Sequence, residues 1–227
     1  MQLDEVLPNL KTGGLSKTGF LFGAGASFEA GYPMMPELTH DVVVSLTADE
    51  RATLDEVLAG QNVAYDTFKS EPNIEVISDH VISHAISTQQ SRFRELAARL
   101  RDLVTQVILS VRAPNLDLHV AFLDALRKRA FGQPACVHVF TTNYDPLFEL
   151  AGAEASVVVE TGFVGSVERF FDPQRFGFSN GKRLRNSFIE HPVLTVRLIK
   201  LHGSVSWVSR DCAATIRMNG RDNQGEC

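Results

Sequence analysis

Cysteine is scarce in this chain. The three present, Cys136, Cys212 and Cys227, show no CxxC spacing, so they build neither a disulfide framework nor a zinc quartet. No run approaches the roughly 18 consecutive apolar residues needed to span a bilayer. The start, Met1-Gln2-Leu3-Asp4-Glu5, lacks the basic and apolar stretches of a secretory signal. Positive charge is not in surplus either: 22 Lys and Arg against 27 Asp and Glu leave a net charge of -5, which argues against a nucleic-acid partner. The basic groups Arg92/Arg94/Arg99/Arg101, Arg127-Lys128-Arg129 and Lys182-Arg183/Arg185 read as solvated helix faces. No internal repeat or low-complexity segment occurs. The remaining composition, 44% hydrophobic and 22% charged, is that of an ordinary globular protein. The expectation is a cytoplasmic protein with one large domain, or a domain carrying a helical insertion.

Hydrophobic patterning then orders the chain. Residues 1–17 suggest a short amphipathic helix and a Thr12-Gly13-Gly14 turn. The apolar run Gly19–Phe22 reads as a buried parallel strand that feeds Gly23-Ala24-Gly25-Ala26-Ser27. Pro36 suits the first turn of a helix with Val42 and Val43 inward. From about residue 47 to 112 the pattern is helical throughout. Thr47 followed by Glu50 fits a capping box, and Leu96, Leu100, Leu103, Val104, Val107 and Ile108 form a 3.6-period stripe. Pro114 closes this insertion. Residues 116–130 predict a helix with Leu118, Phe122 and Leu126 on one face. A second strand spans Cys136–Phe140, Asp145-Pro146 opens a short helix, Val157–Val159 predicts a third parallel strand, and Val193–Leu201 a last one. Residues 161–194 carry no clean period, and the polar segment from 209 to 227 reads as a tail or the start of a further region. Strands alternating with helices imply an α/β fold with a mainly parallel, Rossmann-like sheet and a helical insertion between the first two motif strands, the whole spanning residues 1–208.

Three strands therefore deliver polar or glycine residues at their carboxyl ends, where open α/β sheets bind ligands. Gly23 and Gly25 allow a sharp turn and close approach to a pyrophosphate, and the N–H groups of the next helix favour an anion. Alone, this loop fits a structural tight turn as well. The third glycine of the dinucleotide fingerprint is missing, because position 28 is Phe, and no Gly-Lys-Ser/Thr follows. Asn143 and Asp145 after the second strand suit a helix cap or a polar site. His202, between a buried strand and Gly203, suits a core histidine or a proton acceptor.

Taken together, these segments resemble the sirtuin-like family. Its Gly-Ala-Gly-x-Ser loop with Ala/Ser-Gly-x-Pro is matched by Gly23–Ser27 and Ala30-Gly31-Tyr32-Pro33, its Thr-x-Asn-x-Asp by Thr141–Asp145, and its His-Gly by His202-Gly203. Lys200-Leu201-His202-Gly203-Ser204 with Trp207, and Asn73-Ile74-Glu75 ahead of a helix, are similar to the bacterial branch, whose members consume NAD in defence against phage. The resemblance implies that Gly23, Ala24, Gly25, Ser27, Pro33, Thr142, Gly203 and Ser204 hold NAD as substrate. It also implies that Asn143 and Asp145 bind the nicotinamide-ribose side and position water, with His202 as general base. Such a site would release nicotinamide and ADP-ribose, linear or cyclic. Nicotinamide leaves neutral from a pyridinium, so no general acid is required, whereas the oxocarbenium-like transition state benefits from a base.

The departures from the family are informative. Deacylase sirtuins carry four zinc cysteines after His-Gly and an arginine after the loop proline. Here only Cys212 and Cys227 follow, and Pro33 leads to Met34-Met35-Pro36. NAD hydrolysis is thus favoured over protein deacylation, with a non-catalytic NAD or ADP-ribose sensor as the alternative. Asp79, His80 and His84 lack a third metal ligand or a zincin glutamate, so no metal is expected. Ser204 lacks the Gly-x-Ser-x-Gly of a nucleophile elbow. Because unrestrained NAD loss would harm the host cell, control by self-association or by an activator protein is also expected.

Overall fold

The computed structural model describes residues 15, 18–130, 134–165, 169–177, 181–184, 187–190, 194–209 and 216–218. The expected N-terminal helix with its Thr12-Gly13-Gly14 turn lies outside the described residues, as does most of the tail. The chain divides into two units, residues 1–26 with 115–227, and residues 27–114.

The first unit is built on a four-stranded, wholly parallel sheet: β1 (Gly19–Phe22), β2 (Ala135–Thr141), β3 (Val158–Glu160) and β8 (Leu194–Lys200), in the spatial order β1-β2-β8-β3. This is the α/β, Rossmann-like architecture that the alternation of strands and helices predicts. Val137 faces Val196 and Val139 faces Leu198 in register, all four buried. Two helices cover that face, α6 (Asp117–Ala130) and α7 (Leu147–Ala155), through Leu123, Leu126, Phe148 and Ala151. Phe20 and Phe22 of β1 meet Phe122 edge-on at 5.2 and 5.1 Å, and Phe22 meets Phe148 at 4.9 Å, geometries that aromatic quadrupoles favour. These rings fix β1, and so the loop after it, against both helices. A side chain at Gly152 would collide with Val159 and lie 3.2 Å from the Val157 carbonyl, so glycine lets α7 lie close to β3.

Leu118 departs from expectation: it is 54% exposed, and the inward face of α6 is His119, Leu123, Leu126 and Ala130. Each i to i+4 step overshoots a full turn by about 40°. The 118-122-126 row therefore drifts, while steps of four, three and four stay on one side. At the far end, Arg127 donates to the Ala155 carbonyl at 2.8 Å, tying α6 to the end of α7.

Residues 161–194, patternless in sequence, contribute short antiparallel pieces. β4 (Phe163–Val164) and β5 (Arg169–Phe171) join β9 (Trp207–Ser209) and β10 (Ile216–Met218) in the order β4-β5-β10-β9, and β6 (Gly181–Leu184) pairs with β7 (Ser187–Glu190). Glu160, buried at the end of β3, lies 3.8 Å from Arg197 and 3.7 Å from Arg175.

A one-turn helix, α1 (Gly25–Phe28), runs from the first unit into the second. The second unit is otherwise helical: α2 (Met35–Val44), α3 (Ala48–Gly60), α4 (Ile74–Thr88) and α5 (Ser91–Leu109). The Thr47–Glu50 capping box is present, with Glu50 N–H to Thr47 Oγ1 at 3.3 Å and Thr47 N–H to Glu50 Oε2 at 2.8 Å. Leu96, Leu100 and Leu103 of the α5 stripe are buried. Helix is not continuous over 47–112, however. Residues 61–73 form a loop in which Asn62 and Ser70 adopt left-handed backbone, and Asn73 caps α4 by accepting from the Glu75 and Val76 amides. Apolar periodicity on both sides hid this break. No helix among the described residues is long and apolar enough to cross a membrane.

Core and surface positions of the sheet give contrasting expectations. Leu198→Ala, in the buried layer, should lower unfolding free energy by about 2–5 kcal/mol. Leu21→Ala, at a position 72% exposed, should change it by less than about 0.5 kcal/mol. Denaturant midpoints of the two variants check this.

Candidate functional site

Phe22, Thr141 and Lys200 share one rung of the sheet: Phe22 pairs with Thr141, and Thr141 with Lys200. All three polar segments begin on the next residue, so they emerge side by side at the carboxyl edge. Backbone hydrogen bonds carry the ladder past the rung, from Thr142 N–H to the Phe22 carbonyl at 3.1 Å and from Leu201 N–H to the Thr141 carbonyl at 2.8 Å. Asn143 closes the gap to the glycine loop, its Nδ2 donating to the Gly23 carbonyl at 2.9 Å. Because a carbonyl cannot donate, this contact assigns the amide's orientation: nitrogen toward Gly23 and Oδ1 as the acceptor end. The Asn143 backbone N–H donates to Thr141 Oγ1 at 3.0 Å.

Gly23, Ala24 and Gly25 are exposed. Neither glycine has the positive φ that would demand its type. An added Cβ would meet only Thr142 Oγ1 at 3.9 Å from Gly23, and nothing within 4 Å from Gly25. The expected conformational reason for these glycines is therefore corrected: what they provide is close approach to the backbone from outside. The anion-favouring helix start is also reduced, because α1 is a single turn with little accumulated dipole. Gly203 is the opposite case. Its φ of +87° lies where L side chains are strained, so the turn after His202 requires glycine for its conformation.

His202 is exposed on that turn, its ring 6.2 Å from the ring of Tyr144, the residue after Asn143. Val205 N–H donates to the Tyr144 carbonyl at 3.2 Å, and Ser204 Oγ donates to the same carbonyl at 3.1 Å. Thr142, Asn143, Gly203 and Ser204 are half-buried around it. Thus Gly23, Asn143 and the His202 turn come together within the first unit. Ser27, buried, and Pro33, half-buried, belong to the second unit.

Asp145 is buried, and its Oδ1 accepts from Leu147 N–H at 3.1 Å. Pro146 holds the N-cap position, and Asp145, one residue before it, supplies the capping bond to the first amide of α7. That helix starts at Leu147, one residue later than a Pro146 at the first helical position would place it. Ser204 likewise serves internal partners, accepting from Lys200 Nζ at 3.2 Å while donating to Tyr144.

Beneath the edge lies a buried ion pair: Lys200 belongs to the family-like segment but with no role of its own there, and its partner Glu149 lies outside every motif. The Lys200 side chain is 2% exposed and pairs with Glu149 of α7 at 3.1 Å. Its ammonium also donates to the Asp145 carbonyl. Burial pushes the Glu149 carboxyl above the ordinary glutamate range, opposed by the Lys200 charge. His119 is buried beside Phe148, their rings 4.8 Å apart; burial lowers its pKa, opposed by the Asp145 charge. The available signal was a charge set against apolar residues: Lys200 ends Val-Arg-Leu-Ile-Lys, which also carries Arg197, and Glu149 interrupts Leu-Phe-Glu-Leu-Ala.

Among the described residues, no group of three or more His, Cys, Asp or Glu is arranged to hold a metal, and His84 packs edge-on against Phe93 at 4.3 Å.

Lys200→Met should destabilise the protein by about 3–5 kcal/mol at neutral pH, because it leaves Glu149 buried without its cation. The deficit should shrink as pH falls. With the cation gone, the Glu149 carboxyl rises further, and the folded variant then binds a proton where the unfolded chain has none. Denaturation at neutral and mildly acidic pH checks the sign; a deficit independent of pH contradicts the pairing. A comparison with protein-family models and with curated proteins finds no match to this sequence.

Proposed function

We propose that the carboxyl edge of the first unit binds NAD and cleaves its nicotinamide-ribose bond, giving nicotinamide and ADP-ribose. The observation that carries this reading is the Asn143 amide bonded to the Gly23 carbonyl, beside a His202 turn tethered to Tyr144. A phosphate-approach loop, an oriented amide and an exposed imidazole then meet at one sheet edge, the usual ligand position of an open α/β fold. The sirtuin-like order of the three motifs supports the same substrate.

In this reading the pyrophosphate lies along Gly23–Gly25, where glycine permits close approach. The Asn143 Oδ1 end accepts from the attacking water or a ribose hydroxyl and orients it. His202 takes the proton as the C1′–N bond breaks and nicotinamide departs with the bonding electrons, so the ring leaves neutral. Water's oxygen forms the new bond to C1′. Asp145 contributes as the cap that sets the turn between Asn143 and α7. We further propose that turnover is held latent until the protein self-associates or meets an activator, as suits an NAD-depleting effector of antiphage defence.

Purified protein incubated with NAD over a range of protein concentrations, with nicotinamide resolved by chromatography, tests the reading. The wild type should release nicotinamide, more per molecule at higher concentration or with its activator. His202→Ala and Asn143→Ala should each reduce turnover by about 10²–10⁴-fold. NAD binding without release would favour the sensor reading. Full turnover by either variant would contradict the assigned roles, and full turnover by a dilute monomer would contradict latency.

A further inference from the structure

We infer that Lys200 is the positioning residue of this site: its buried ammonium fixes the His202 turn against the Asn143–Asp145 segment. The inference rests on the NAD-cleaving reading for the reaction it serves. An ammonium has three protons and no acceptor. Here it hydrogen-bonds to Ser204 Oγ on the histidine turn at 3.2 Å and to the Asp145 carbonyl on the loop after β2, and it is ion-paired with Glu149 Oε1 on α7 at 3.1 Å. Ser204 passes the connection on, donating to the Tyr144 carbonyl at 3.1 Å and lying 3.1 Å from Ser206 Oγ. The turn is thereby held from beneath as well as through its own Gly203 and Val205 amides.

A buried ion pair is a weak source of stability, since a well-packed apolar pair of similar volume often replaces it without loss. Stability alone therefore gives no reason to place a lysine here. A cation that donates to two segments and ion-pairs with a third does: no apolar side chain can specify their relative positions, and displacement of a catalytic group by about 1 Å can cost about 10²-fold in rate. Lys200 acts through the turn and does not itself touch the reacting atoms.

The test compares the full protein with Lys200→Met/Glu149→Leu, which removes both charges, and with Ser204→Ala, which removes only the relay hydroxyl. Three readouts are taken: the denaturation midpoint, kcat and KM for nicotinamide release, and amide hydrogen exchange across residues 201–206. The double variant should regain a midpoint near wild type, yet lose about 10²-fold in kcat with KM changed less than about threefold. Exchange in 201–206 should quicken, with β2 and β8 protected as before. Ser204→Ala should move kcat and exchange in the same direction, and it decides the matter if the double variant does not fold. Wild-type kcat and exchange in the folded variants would overturn the inference. A wild type that releases no nicotinamide at any protein concentration or with its activator would instead overturn the NAD-cleaving reading. Exchange then decides the pinning alone, and unchanged protection of 201–206 in both variants would refute it.

Discussion

The parallel register that ends β1, β2 and β8 on one rung is the constraint from which the site follows. Because Phe22, Thr141 and Lys200 are paired neighbours, the next residues of each strand have nowhere to go but the same edge. Two ladder-like hydrogen bonds, at 3.1 and 2.8 Å, extend the register one step into the loops. A slip of one residue in any strand would turn its buried row to the other face, exchanging Val137 and Val139 for Cys136 and His138. The core under α6 and α7 therefore guards the alignment of the motifs, and the phenylalanine cluster at β1 extends that protection to the glycine loop.

Electrostatics divides the edge into two levels. Exposed or half-buried groups that can meet a ligand, the 23–25 backbone, Asn143 and His202, lie on top. Beneath them, Lys200, Glu149 and Asp145 form a layer whose charged atoms are largely buried, where every charge is costly unless partnered. The raised Glu149 carboxyl and the lowered His119 imidazole both follow from burial, and each is opposed by a charge in this layer. Residues that look interchangeable in a motif thus differ in role: Asp145 and Ser204 organise, while Asn143 and His202 face outward.

Of the strand ends, β1 is found with the expected bounds, Gly19–Phe22, but as an edge strand of alternately exposed and half-buried residues rather than a buried one. The strands β2, β3 and β8 begin or end a residue away from the apolar runs that predict them. The capping box was legible because its partners lie three residues apart. Legibility fell wherever partners are distant. Asp145 and Lys200 meet across 55 residues, and local spacing carries no trace of such a contact. The pieces within 161–194 are two to four residues long, too short for alternation to register. On α6 the row at spacing four holds at Phe122 and Leu126, which pack on the core, but has rotated off it at Leu118, which is exposed. The reason for glycine at 203, a left-handed backbone, has no mark in the local sequence beyond the glycine itself.

The central claim is that this edge breaks the bond between nicotinamide and ribose rather than merely holding the dinucleotide. NAD labelled in the nicotinamide ring, mixed with excess protein and followed through a single turnover, addresses it directly. The account predicts that label appears as free nicotinamide in step with formation of ADP-ribose. Label that stays within intact NAD while all of that NAD is bound to the protein would contradict the account.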